Sequence, residues 1–204
     1  VSDRLTLAFD TSAAHCAAAL LSGDRVLATA FESMRKGQAE RLMPLLEDVL
    51  AKAGHAWSDL DVIGVGTGPG NFTGVRIAVA GARGLGLGLG IPVEGVTAPE
   101  AYAAGRDVIV CLDAPRDRVH FAYGSEILLG DVVPPNWHAP LTGPAAARIA
   151  EASGRPLAET PDLAVEIARI AADRAAPGRA RPAPVYMRPA DAAPASDPPP
   201  VILP

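Results

Sequence analysis

Asp61-Val-Ile-Gly-Val-Gly-Thr-Gly-Pro-Gly-Asn-Phe-Thr-Gly-Val-Arg76 passes from a short β-branched run, through a glycine loop, into what reads as the start of a helix. Strand, loop and helix in that order suit an anion pocket, because loop amides and a helix N-terminus point their donors at one spot. Thr73 is the expected N-cap and Gly68, Gly70 and Asn71 the loop residues, so phosphate handling is the first functional idea. Neither common fingerprint matches. A Walker A loop needs a lysine directly before the Ser/Thr at the helix entry, and residues 68–73 supply none. Gly68, Gly70 and Gly74 miss the G-x-G-x-x-G spacing at its last step. A purely structural reading, in which Pro69 and Gly70 form a tight turn that aims the next helix, stands beside the functional one.

Upstream of the loop, Leu5 to Phe9 reads as a strand ending at Asp10. His15–Leu21 and Arg25–Phe31 are two further runs, and Ser22-Gly23-Asp24 between them suits a hairpin turn, so three antiparallel strands are expected. Between residues 39 and 53 the spacing becomes helical, with Leu42, Leu46, Val49 and Ala53 on one stripe, Met43 and Leu50 beside it, and Gly54 as the stop. If this helix begins at Gln38, Pro44 falls past its first turn and predicts a kink or a later start. Leu60–Val65 is the fourth strand, the helix behind Thr73 runs to about Leu89, and Ile91–Gly95 is a fifth, short strand.

The second helix contains Ala78, Gly81, Ala82, Gly84, Gly86 and Gly88, and each interior glycine costs roughly 0.5–1 kcal/mol relative to alanine. Close packing of backbones would offset that cost. The packing is either internal to the monomer or a subunit interface in which Ala78, Gly81, Ala82, Gly84 and Leu85 meet another chain together with Leu42, Leu46 and Val49 of the first helix.

Residues 107–113 and 118–123 read as strands around a turn at Ala114-Pro-Arg-Asp117, and Ile127–Leu129 as a third. Pro144 and Pro161 each fit a helix start, the second behind a Thr160 cap, with helices reaching about Ala152 and Arg174. The expected organisation is a first half-domain over 1–104, a shortened second half over 105–177 and a tail over 178–204. Eight of the 27 residues from Gly178 onward are proline, so Val185-Tyr-Met187 is the tail's expected apolar anchor.

Composition agrees with a folded protein. The 204 residues are 49% hydrophobic and 20% charged, with a net charge of −5 and a pI near 5.3, which excludes disordered and fibrous classes. No Lys/Arg block exceeds Arg35-Lys36, so an independent nucleic-acid footprint is not visible. Cys16 and Cys111 lie far apart in apolar runs and read as buried free thiols. Neither a secretory leader pattern nor a membrane-spanning run is expected, which points to the cytoplasm.

Three segments in order, Leu7-Ala-Phe-Asp-Thr-Ser12, Gly68-Pro-Gly-Asn-Phe-Thr-Gly-Val-Arg-Ile77 and Pro184-Val-Tyr-Met-Arg188, closely resemble the TsaB family of bacterial tRNA threonylcarbamoyladenosine biosynthesis proteins. The resemblance spans about residues 5–188. It implies an α/β, actin-like ATPase (ribonuclease H-like) fold, with one full β-β-β-α-β-α-β half-domain plus a shortened second half. It also implies a non-catalytic subunit that pairs with the catalytic TsaD through the two long helices, with the ATPase TsaE joining and tRNA reached only through the complex. For the chain alone a homodimer and a monomer both stay open. No cofactor is expected in the isolated chain, ATP being used by the complex.

Kinases and ATPases of this fold clamp nucleotide between two domains, each contributing an Asp and a glycine-rich hairpin. Here Asp10-Thr11-Ser12 lacks those glycines, and Asp113 is followed by Ala114-Pro115, where Pro115 has no amide to donate. Asp10 is either a metal-water ligand or a structural turn residue. The catalytic relative carries H-x-x-x-H, and an i, i+4 pair shares one helix face. The matching positions here are Ala98 and Tyr102, so no metal is expected. Gln38 falls where many relatives have histidine, and His15, His55, His120 and His138 are dispersed and read as structural or exposed. There is no G-x-S-x-G elbow. An actin-like ATP-dependent kinase remains the alternative, and a metalloprotease-like hydrolase is weaker still.

Overall fold

The computed structural model describes residues 3–176 and 178–187. In chain order, β1 (Leu5–Asp10), β2 (His15–Ser22) and β3 (Arg25–Ser33) lead into α1 (Gln38–Ala53). A short 3-10 turn precedes β4 (Val62–Gly66), then α2 (Phe72–Leu89), β5 (Val93–Val96) and α3 (Ala98–Ala103). β6 (Ile109–Asp113), β7 (Val119–Tyr123), β8 (Glu126–Gly130), β9 (Leu141–Thr142), α4 (Ala146–Ser153) and α5 (Leu163–Arg174) complete it.

The first sheet has the order β3-β2-β1-β4-β5. Two antiparallel pairings, β1 with β2 and β2 with β3, sit beside two parallel ones, β1 with β4 and β4 with β5. Strand alternation sends Leu5, Leu7 and Phe9 to one face, where Leu45, Leu46 and Val49 of α1 and Val75 and Ala78 of α2 meet them. On the other face Ala8, Ala17 and Ala19 are small, and α5 lies over them through Ile167 and Ala168. Gly64 shows how close that approach is. A Cβ there would stand 2.9 Å from Ala171 Cβ and 3.1 Å from Ile167 Cγ2. The second sheet, β8-β7-β6-β9, pairs β6 with β7 and β7 with β8 antiparallel and β6 with β9 parallel, and α4 packs on it.

Four local expectations need correction. α1 does begin at Gln38 and continues through Pro44. Pro44 is on the exposed side of the helix. On the same helix Leu45, not Met43, joins the buried stripe, Met43 being 38% exposed. α2 is capped by Asn71, whose side chain accepts from Gly74 N at 3.0 Å, so Thr73 lies inside the first turn. α5 is capped by Asp162, which accepts from Ala164 N and Val165 N. Thr160 instead accepts from Gly143 N at 3.1 Å, because the Asp two residues on reaches the helix amides first.

Within the span 105–177, expected as one half, α5 shares a core with Val110 and Leu112 of β6 and Ala122 of β7. The same helix returns to the first sheet and packs against β1, β2, β4 and β5. The segment 178–187 follows the same sheet. Val185 N donates to Thr67 O at 2.8 Å, and the Tyr186 ring stacks 4.9 Å from Phe72. The rest of the expected tail, 188–204, lies outside the described residues.

Candidate functional site: the cleft above the parallel strands

β1 and β4 run parallel, so Asp10 and the glycine loop emerge side by side at the carboxyl end of the sheet, the usual place for ligands in open α/β folds. A cleft of about 340 Å³ opens there, bordered by Ser12, His15, Gly70, Asn71, Tyr102 and Asp113 among others.

Asp10 is 1% exposed. Its Oδ1 accepts from Ser12 N at 2.8 Å and Ser12 Oγ at 2.9 Å, and lies 2.8 Å from His15 Nε2. Its Oδ2 is buried without a protein donor, in space that exists only because residue 66 is glycine, since a Cβ there would run into it. His15 is buried and its ring lies 5.3 Å from Phe31. The Asp10–His15 pair was not expected from sequence. The two residues straddle the β1–β2 turn, and the one available signal is their hairpin spacing.

The glycine loop is clamped onto that turn. Asn71 N donates to Ser12 O at 2.5 Å, and Thr11 Oγ1 donates to Gly74 O at 2.7 Å. A Cβ at Gly70 would overlap the Ser12 carbonyl, and one at Gly74 the Thr11 carbonyl, so both glycines serve close backbone approach. Gly68 has φ +87°, follows β4, and accepts from Ala98 N at 2.8 Å, tying the loop to α3. Of the five residues singled out for phosphate, Gly70 and Asn71 line the cleft and Asp10 sits beneath it through Ser12 and His15. Gly68 is turned toward α3, and Thr73 is exposed on the helix. The Asn71 amide is used by Ser12 and the Gly74 amide by Asn71.

Across the cleft, Ala98 and Tyr102 occupy one face of α3 and both line it. Burial holds the Tyr102 hydroxyl well above the usual phenol range, with Asp10, Asp162 and Asp113 adding to the effect, so it stays a neutral phenol. Asp113 is exposed and pairs with Arg148 at 3.6 Å. The turn after it closes through Ala114 N to Arg118 O, with Arg116 and Asp117 at φ 62° and 58°. His120 also borders the cleft. Among the described residues, no three His, Cys, Asp or Glu side chains converge as a metal site would need.

The residues expected at a subunit interface separate into two groups. Leu42, Leu46, Val49, Ala78 and Ala82 are at most 3% exposed and belong to the monomer's own core, so they are not interface side chains. The sheet needs an apolar cover on that face, and these residues supply it. Leu85 is partly buried against the same core. Gly81 points at Leu42, with a Cβ there 3.4 Å from Cδ2, whereas Gly84 opens to free space. Nearby on α2, Leu87 is 76% exposed.

The family model described as TsaD, tRNA N6-adenosine threonylcarbamoyltransferase, matches residues 26–183. The chain belongs to this family. Among solved structures it is similar to a Pseudomonas aeruginosa protein described as having similarity to the peptidase YeaZ, with 29% identity over 91% of this chain and 100% of that one, at TM-score 0.73. YeaZ from Pseudomonas aeruginosa is similar at 27% identity over 90% and 100%, at TM-score 0.70. Component A of (R)-2-hydroxyglutaryl-CoA dehydratase from Acidaminococcus fermentans, 10% identical over 84% and 98% with TM-score 0.56, shares the fold alone. No curated protein matches the chain. The architecture is the α/β actin-like ATPase fold. No helix among the described residues is long and apolar enough to cross a membrane.

Proposed function

We propose that this chain is a non-catalytic subunit in tRNA threonylcarbamoylation, acting by docking onto a catalytic TsaD. The cleft face of α3 carries the reading. In a member of a transferase family, the positions where the resemblance puts an imidazole pair hold Ala98, which has no donor atom, and Tyr102, which burial keeps a neutral phenol, so the imidazole pair is missing. Likeness to YeaZ over that protein's whole length supports it. TsaD then transfers the threonylcarbamoyl group to the adenosine beside the anticodon, TsaE joins as the ATPase, and tRNA and ATP are engaged by the complex.

The docking face in this reading is the outer side of α2, around Gly84 and Leu87. Gly84 leaves open space and Leu87 exposes a large apolar side chain, whereas the buried side of the helix is already covered. In the absence of TsaD the same face would pair two copies of the chain. The test is TsaD capture by Gly84→Trp and Leu87→Asp, with melting measured in parallel. Capture should weaken by about one to two decades while melting stays near that of the parent. Unchanged capture by the folded variants would sink the docking face. Leu46→Asp serves only as an unfolding control, because Leu46 is 0% exposed.

The kinase alternative is tested by ATP affinity. With the Asn71 amide occupied and Pro115 beside Asp113, ATP should bind the isolated chain more weakly than about 100 µM. Low-micromolar affinity by calorimetry would favour the kinase.

A further inference from the structure

A cavity of about 410 Å³ opens at the other end of the first sheet, where α2 ends and β5 begins, and Gly178, Arg179, Arg181 and Pro182 of the returning segment border it. Arg83 borders it from α2, and Arg179 and Arg181 from the returning segment. Glu94 is the single carboxylate among the lining residues. It is 4% exposed, its Oε2 lies 3.2 Å from Arg179 Nε, and its Oε1 is buried without a donor. Burial pushes its carboxyl up from the ordinary value, while Arg179 and Arg174 oppose that shift, and the pair with Arg179 offsets its charge at the cavity wall.

Arg83 and Arg181 have no hydrogen-bond or ion-pair partner among the described residues. Their gathering at one concavity is not a consequence of bulk charge, since the chain carries a net −5. The C-terminal dipole of α2 opposes an anion here with roughly half a charge. That opposition is limited, because Gly86 O already accepts from Gly90 N at 2.9 Å and Ile91 N at 3.2 Å. Two unpaired guanidiniums outweigh it. Guanidinium forks match the oxygens of phosphate groups, and the cavity volume lies in the range of small-molecule sites.

We propose that this cavity binds a small phosphate-bearing anion, with Arg83 and Arg181 taking its oxygens and the Glu94 pair holding Arg179 at the wall. Pyrophosphate is the probe, and a short single-stranded RNA is the second arm, separating a free phosphate ligand from a backbone phosphate. Calorimetry on the full chain should give saturable one-to-one binding of pyrophosphate. The double variant Arg83→Ala/Arg181→Ala should weaken it by at least about tenfold, and Arg181→Glu at least as much. Both arginines are exposed, so melting should not move. Arg25→Ala, at an exposed site on β3 remote in the fold, is the charge control. Absence of saturable heat up to about 5 mM pyrophosphate, equal loss in the Arg25 control, or RNA binding without pyrophosphate binding would each overturn the assignment. The site does not rest on the docking role, but Leu87 of the proposed docking face also borders this cavity, so TsaD capture by Arg181→Glu, which leaves α2 unchanged, reads the two apart.

Discussion

Asp10 ends β1, an interior strand of the first sheet, and Asp113 ends β6, an interior strand of the second, yet their carboxylates meet different surroundings. Asp10 is 1% exposed and collects the Ser12 amide, the Ser12 hydroxyl and His15 on one oxygen. The Asp113 side chain keeps 68% of its surface in water and has one ion pair at 3.6 Å. The neighbours account for the contrast. A four-residue parallel pairing sets the β4 loop over Asp10, whereas β9, the corresponding neighbour of β6, pairs through two residues. A buried carboxylate needs donors, and Asp10 finds them in its own turn, whereas Asp113 stays in water beside Arg148.

Gly74→Ala is the strongest way to break this comparison. The added Cβ meets the backbone carbonyl of Thr11, which cannot rotate aside, so a loss of about 3 kcal/mol is expected in urea unfolding. A near-neutral result would mean that the loop is not clamped on the turn. Asp10→Ala comes next. It leaves two Ser12 donors and His15 without their acceptor, and about 2 kcal/mol should be lost.

Base stability compares the two sheets through their thiols. Burial pushes Cys16 in β2 up to about 11 and Cys111 in β6 up to about 12, against 9.0 for a free thiol. Unfolded thiols ionise first, so the stability present below pH 9 should fall as pH rises through 11 and toward 12. Melting followed across that range should show the decline, and Cys16→Ala should blunt its lower part. A flat profile in the parent would contradict the burial of both thiols. The smallest effect is Asp113→Ala, expected within about 0.5 kcal/mol because an exposed pair contributes little. A loss comparable to that of Asp10→Ala would erase the contrast.

Helix caps show where local reading stops. Both Thr73 and Asn71 can cap a helix, as can Thr160 and Asp162, and the choice depends on where the chain leaves its preceding contact. Asn71 is held by Ser12, fixing it just outside α2. Thr160 is drawn to Gly143, leaving Asp162 at α5. Likewise, the stripe of α1 was legible as helical. That its apolar side chains would be consumed by the monomer's own sheet was not, since periodicity defines a face without naming what covers it.

By itself the sequence determined the β-β-β-α-β-α-β order and the glycine loop between β4 and α2. Those features are written in short-range alternation, helical spacing and glycine punctuation, which act within a few residues. Its family resemblance was also carried by contiguous segments. Only the tertiary structure decided that His15 meets Asp10, that α5 crosses back to the first sheet, and that α2 leaves Gly84 and Leu87 outside. Each of these joins groups whose meeting depends on how the chain folds back on itself, and burial, close backbone approach and shared hydrogen bonds are set by that return.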